Sequence, residues 1–103
     1  MSSMKQYYVY ILRCRDKSYY VGVTNNVDER LLQHQQGDNP MCYTYVRRPV
    51  TLVHVETFGD IKDAIAAEKQ IKGWSRKKKE ALIRGDEESL HQLSKRHSQI
   101  FRC

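Results

Sequence analysis

Four groups of residues in this chain have the types and spacing to do chemistry. Glu68 is the most informative single one. Placed on a helix over Ile61–Lys72, at about 100° per residue, Ile61, Ala64, Ile65 and Ile71 fall within about 60° of it. The carboxylate therefore sits mid-stripe on the face that should enter the core. An unpaired carboxylate is expensive to bury, so such groups are paired or coordinate a metal. Two readings stand side by side. Glu68 lies at the rim of the core and pairs with a nearby Lys or Arg, or it holds Mg2+, which takes one or two protein oxygens and keeps its waters.

Arg30 and His34 are one helical turn apart and share a face that flanks the Val27–Leu31 stripe. An arginine can hold a phosphate bidentately, and a histidine can shuttle protons near neutral pH. The pair either borders a cleft or belongs to a solvated face with Arg30 near Asp28 or Glu29. Tyrosines form the third group, in YYVYILRCRDKSYYVGVT, Tyr7 to Thr24. Side chains alternate along strands, so Tyr8, Tyr10 and Leu12 share one face, as do Tyr20, Gly22 and Thr24. Tyr10 and Tyr20 meet if the loop between the strands has an odd number of residues and part if the number is even. Gly22 inside a strand points to close approach by another group, or to a bulge. The fourth group is basic: Lys69, Lys72, Arg76, Lys77, Lys78, Lys79 and Arg84, opposed within that run by Glu80 and interleaved with Trp74. Such a run suits a phosphate backbone with an occasional base stack. Its alternative is a solvated face with a core tryptophan.

The elements that must position these residues follow from periodicity and punctuation. Tyr7–Cys14 and Tyr19–Thr24 read as strands joined through RDKS in a hairpin. Asn25 and Asn26 offer helix-start chemistry for a helix over Val27–Gln36, and Gly37 stops it. GDNPMCYTYVRRP is a loop whose end is basic through Arg47 and Arg48. Val50–Phe58 is the third strand, with alternation in LVHVE. Gly59 breaks it, and Asp60 caps a helix over Ile61–Lys72 that ends at Gly73. Ser75 caps a short helix over Arg76–Ile83. A further helix spans about Glu87–Lys95 and frays beyond. Three strands with three or four helices make a small α/β sandwich.

The whole chain bounds the function class. Its 103 residues suit one domain with a modest core. Met1–Gln6 is polar and no apolar run approaches the roughly 20 residues that span a bilayer, so a soluble, non-exported, cytoplasmic protein without membrane contact is expected. Cys14, Cys42 and Cys103 are widely spaced, with no CxxC, and the four histidines show no ligand spacing with them. That argues against a disulfide framework or a zinc knuckle and for a reducing compartment. A net charge of +6 favours polyanionic partners, nucleic acid first.

Tyr8-Val9-Tyr10 and Tyr20-Val21-Gly22 resemble the two tripeptides of the GIY-YIG nuclease domain. Arg30 stands ten residues beyond Tyr20, where that family keeps its arginine. His34 follows one turn later, and Glu68 matches the family's metal-binding glutamate. The order and spacing agree over about Tyr7 to Ile83. Small stand-alone bacterial members are most similar, sharing the YVYILRC opening, the RR-P turn and the basic helix after the glutamate. The departures are Tyr8 in place of Gly, Val9 and Val21 in place of Ile, and a slightly shorter interval between the tripeptides. A further loop His of some relatives has Tyr43 and Tyr45 in the comparable region here. An Asn that some carry after the glutamate helix has no counterpart.

The resemblance implies a three-stranded antiparallel sheet flanked by helices, with residues 1–85 as the nuclease domain and 86–103 as a C-terminal helical extension. It implies a Mg2+-dependent (or Mn2+-dependent) endonuclease acting on DNA, single-stranded or branched forms included, with a place in DNA repair. Tyr10 would help activate the attacking water, directly or through a neighbour, and Tyr20 would orient that water beside the phosphate. Arg30 would stabilise the phosphoryl oxygens, His34 would assist proton transfer, Glu68 would hold the metal, and Gly22 would leave room for substrate. Tyrosine has an ordinary pKa of about 10, so nearby cations must lower it or another group must share the proton. Arg47, Arg48, Lys69, Lys72, Arg76, Lys77, Lys78 and Lys79 are the expected nucleic-acid contacts. The other expectations are a non-catalytic nucleic-acid-binding module on the same fold and a structural adaptor of a repair complex.

Overall fold

The run Tyr7–Arg13 carries apolar or aromatic side chains on both faces, the pattern of a strand covered from both sides. In the computed structural model, which describes residues 5–88 and 90, it is the central strand. The elements are β1 (Tyr7–Arg13), β2 (Tyr19–Thr24), α1 (Val27–Gln36), a 3-10 turn at Tyr45–Arg47, β3 (Thr51–Phe58), α2 (Ile61–Lys72) and α3 (Arg76–Arg84). The sheet is antiparallel with strand order β2-β1-β3, so the expected three-stranded α/β architecture is present. Val9, Ile11 and Val21 are buried on one face. On the other, Tyr10, Leu12, Cys14 and Val50 form a core cluster against Tyr20, Leu31 and Leu52. No helix among the described residues is long and apolar enough to cross a membrane.

Hairpin parity is settled by the turn. Arg13 pairs with Tyr19, leaving the odd-length loop Cys14–Ser18. Cys14 N–H donates to Ser18 O at 2.8 Å, and Lys17 N–H donates to Cys14 O at 2.8 Å. Lys17 takes the left-handed conformation, φ 72°, the geometry of a short hairpin in which a turn is followed by an αL residue. Asp16 Oδ1 accepts from Ser18 N–H at 3.0 Å and from Ser18 O–H at 2.6 Å. The resulting register sets Tyr10 opposite Gly22 and Leu12 opposite Tyr20. Tyr10 and Tyr20 therefore share a face.

β3 departs from the expected alternation. His54 pairs with Ile11 but Leu52 pairs with Leu12, so Val53 is the extra residue of a bulge. The bulge sends Leu52 to the Tyr10 face, where strict alternation would have left it beside His54.

α1 begins as expected: Asn26 Oδ1 accepts from Glu29 N–H at 3.0 Å. It ends at Gly37, φ 71°, a conformation that favours glycine; a side-chain carbon there would also make the Arg48 guanidinium shift. The Gln35 side chain acts as a strand partner for the start of β3. Its Nε2 donates to Val50 O at 2.6 Å and its Oε1 accepts from Val50 N–H at 3.1 Å.

α2 packs across all three strands. Its buried residues are Ala64, Glu68 and Ile71. Ile61 and Ile65, each 38% exposed, lie off this stripe, which is narrower than the wheel suggested and is centred near Ala64 with Glu68 at its edge.

The described residues divide into two compact units, one ending at Lys72 and the other beginning at Gly73. The break falls where α2 stops. In the second unit Ser75 Oγ accepts from Lys78 N–H at 3.2 Å and caps α3. Glu87, Glu88 and Leu90 are helical; the remainder of the expected Glu87–Lys95 helix lies outside the described residues.

Candidate active site

His34 is the one buried residue of α1, 6% exposed, where a leucine would be the ordinary choice. It is tolerated because both ring nitrogens are engaged. Nε2 lies 3.0 Å from the Tyr10 hydroxyl, and Nδ1 lies 2.8 Å from Thr44 Oγ1. Cys42 Sγ is 3.5 Å from Thr44 Oγ1 and 3.9 Å from Nδ1. Burial, with Arg30 adding to it, holds the imidazole below its ordinary pKa. The ring is neutral at neutral pH, with one donor and one acceptor nitrogen.

Tyr10 is 1% exposed. Its ring lies against Gly22, where any Cβ would overlap the phenol hydroxyl and ring edge. The strand glycine thus makes room for Tyr10 and not, as expected, for substrate. Burial pushes the Tyr10 hydroxyl well above the usual phenol range, Tyr20 adds to the rise, and Arg30 opposes it. Of the two expected routes, lowering by neighbouring cations does not prevail, because desolvation outweighs Arg30. What the geometry supplies is a neutral imidazole within hydrogen-bond distance to share the proton.

Tyr20 covers this pair. Its ring meets His34 edge-on with centroids 5.0 Å apart and lies 6.2 Å from Tyr10. Burial, then Cys42, raises its hydroxyl, while Lys72 and Arg30 oppose. Tyr20, Arg30 and His34 line a cleft of about 220 Å³, together with Cys42, Thr44 and Tyr45 and the start of the loop at Gly37–Asn39. Arg30 is exposed at its side. Four of the five expected residues, Tyr10, Tyr20, Arg30 and His34, are thus brought together.

Glu68 does not line the cleft. It is 9% exposed and its Oε2 lies 2.5 Å from the Lys72 ammonium one turn on. That contact raises the Lys72 pKa, and Lys72 in turn interacts electrostatically with Tyr20. Glu68 is therefore linked to the cluster through Lys72. Both readings of its burial bear on one side chain: it is paired, and it is a single carboxylate beside the site. Among the described residues no group of three or more His, Cys, Asp or Glu side chains is placed to hold a metal.

The basic residues divide by what they touch. Arg47 lies over the Tyr43 ring at 3.8 Å, donates to Tyr43 O at 2.8 Å and pairs with Asp16 at 3.1 Å. Tyr43 in turn stacks on Tyr20, centroids 6.3 Å apart. Arg48 lies over Tyr45 at 4.6 Å and donates to Tyr45 O and Gln35 O. Both guanidiniums are engaged in holding the loop. In the second unit Lys78 is buried with its ammonium 4.1 Å from the Trp74 ring centre, and Arg76 pairs with Glu80 at 3.0 Å. Lys69 and Lys77 are exposed.

Thr44 and Cys42 have no counterpart among the expected site residues. They lie in an irregular loop with no period to read, and neither type is diagnostic of chemistry at an isolated position. The buried histidine, needing two partners, is the one signal that pointed toward them.

The family model of the GIY-YIG catalytic domain matches residues 6–81. A UPF0213 protein of Syntrophus aciditrophicus is 42% identical over 87 residues, covering 84% of this chain and 100% of that one. A UPF0213 protein of Bacillus pumilus is 39% identical over 93 residues, covering 87% and 94%. Among solved structures, the solution NMR structure of protein EF2693 from E. faecalis has a TM-score of 0.57 at 36% identity, covering 84% of this chain and 92% of that one. The UPF0213 protein BH0048 of Bacillus halodurans, also an NMR structure, has a TM-score of 0.50 at 41% identity, covering 76% and 82%.

Proposed function

Because this chain belongs to the GIY-YIG catalytic-domain family, a nuclease-type family, we propose that it is a Mg2+-dependent (or Mn2+-dependent) endonuclease hydrolysing DNA phosphodiester bonds. The observation that carries this reading is the buried Tyr10–His34 contact beneath a cleft lined by Tyr20 and Arg30. Phosphodiester hydrolysis needs an activated water, charge stabilisation on the phosphoryl oxygens and help for the leaving oxygen. Arg30 grips the non-bridging oxygens with its fork of donors. Tyr20 holds the attacking water at the cleft wall. As the water gives its proton to Tyr10, Tyr10 passes its own to His34 Nε2, so no free phenolate forms. The water oxygen bonds to phosphorus as the bond to the leaving sugar oxygen breaks.

Glu68 is the residue that would hold the divalent ion. Its single carboxylate suits an ion that keeps most of its waters, with Lys72 displaced or sharing the site. When bound, the ion supplies positive charge against the leaving oxygen. Lys69, Lys77 and the neighbouring cations then meet the phosphate backbone. The same Glu68–Lys72 pair favours the second reading, a nucleic-acid-binding module, because the carboxylate already has its counter-ion.

The test incubates the protein with single-stranded, duplex and branched DNA, with Mg2+ and with EDTA. Metal-dependent cutting is expected, falling about 10²–10³-fold in Arg30→Ala, the scale for one lost stabilising group, and also lost in Glu68→Ala. Salt-sensitive binding with no cutting on any substrate overturns the enzyme and leaves the binding module.

A further inference from the structure

We infer that Thr44 is a positioning residue of this site: its hydroxyl accepts from His34 Nδ1–H and so holds the tautomer whose Nε2 lone pair faces Tyr10. The inference rests on the nuclease reading for its kinetic consequence, and on the hydrogen-bond geometry alone for the tautomer.

Thr44 precedes the 3-10 turn, a position where a threonine hydroxyl ordinarily caps the following amides. Here it makes no such cap. The side chain instead turns inward, is 1% exposed, and places Oγ1 2.8 Å from His34 Nδ1. An unsatisfied buried donor is costly; the following arrangement gives every proton in the chain of contacts an acceptor, whereas the reversed one needs the Tyr10 O–H to turn from His34 to the Tyr20 hydroxyl. Tyr10 O–H donates to His34 Nε2 at 3.0 Å, His34 Nδ1–H donates to Thr44 Oγ1, and Thr44 O–H donates to Cys42 Sγ at 3.5 Å. Cys42 Sγ, at 3.9 Å from Nδ1, is the longer and weaker partner beside Thr44 Oγ1 at 2.8 Å. The other tautomer would aim Nε2–H at Tyr10, and His34 would then have no lone pair for the phenol proton. Arg30, the cation beside Tyr10, offers only donors.

Facing His34 are Arg30 on its own helix, Tyr10 from β1, Tyr20 from β2 and Cys42 from the loop. None of these is a carboxylate. Orientation of the ring therefore falls to its hydrogen bonds, and Thr44 is the partner at Nδ1, in the manner of groups that orient a metal-bound histidine from behind.

The test has two readouts. Nitrogen NMR of 15N-labelled protein at neutral pH reports the His34 tautomer, and metal-dependent cleavage is followed as kcat, KM and a pH–rate profile. The variants are Thr44→Val, which keeps the shape without the hydroxyl, and Thr44→Ser, which keeps the hydroxyl. The expected result is the Nδ1–H tautomer in the wild type and in Thr44→Ser, and its loss in Thr44→Val. In Thr44→Val kcat falls about 10–100-fold, the range for removing such an orienting partner, with KM unchanged and the acid limb of the profile displaced; Thr44→Ser recovers most of the rate. An Nε2–H tautomer in the wild type overturns the inference without any variant. So does a Thr44→Val protein with the wild-type tautomer and kcat. If the wild type cuts no DNA, the nuclease reading fails, and the tautomer measurement still decides the role of Thr44.

Discussion

Tyr10 and Gly22 face each other across the β1–β2 ladder, and their contact leaves no space for a methyl group. Gly22→Ala must displace the Tyr10 ring from His34. A loss of about 1–3 kcal/mol, the usual cost of overpacking, is expected in urea unfolding, together with loss of cleavage. His34 gives a pH signature. Its folded-state pKa lies below the ordinary 6.5 because burial, then Arg30, disfavours the charged ring. The fold accommodates the neutral form, so this contribution is intact above pH 6.5 and is lost as pH falls below 6.5 through the lowered folded value. Unfolding curves above and below that pH should show an acid loss of stability that is smaller in His34→Gln. Single residues were legible where their type conflicted with their place. Glu68 mid-stripe and His34 beside an apolar stripe were such conflicts, and both are buried. Thr44 presented no conflict, because a threonine in a polar loop is unremarked until its burial is seen. Gly22 was legible as a point of close approach, but the approaching group proved to be the protein's own phenol.

At the scale of elements, the β1–β2 turn decides whether the site exists, since an even loop would send Tyr10 and Tyr20 to opposite faces. The turn places a lysine at φ 72°, a conformation costing a non-glycine residue roughly 1–2 kcal/mol. Lys17→Gly relieves this and gives back part of it in unfolded-chain entropy. A net gain of about 0.5–1 kcal/mol is expected, read as a higher urea midpoint with cleavage unchanged. The same lysine explains why parity was not legible: with no glycine in RDKS, nothing marks the left-handed position. Helix ends, by contrast, were written in the sequence. Asn26 and Ser75 cap as their types suggest, and Gly37 stops α1. Strand pairing hid the Val53 bulge, because LVHVE alternates in composition whether or not one residue is skipped. The loop residues Arg47 and Arg48 looked like phosphate contacts from charge alone. Their flat guanidiniums cover Tyr43 and Tyr45, a packing role that charge does not announce, and through Tyr43 the first of them braces Tyr20.

Across the whole molecule the +6 charge is the term that acts on a polyanion at a distance. Binding of nucleic acid should weaken with salt through counterion release. Replacing Lys69 or Lys77, both exposed, by Ala should each reduce the slope of log Kobs against log salt by about 0.9 on duplex and 0.7 on single strands, with folding unchanged. Lys78, buried over Trp74, should behave differently, and Lys78→Ala should lower stability before it lowers the slope. The fold as a whole was legible because caps, alternation and glycine punctuation agree with one another. The Gln35–Val50 clamp adds a dimension of time. It ties the two ends of the loop from Gly37 to Pro49 to each other by a side chain, so the loop can breathe without parting α1 from β3. In deuterated water the Val50 amide should keep its proton through many openings of the loop, and in Gln35→Ala it should exchange along with its loop neighbours.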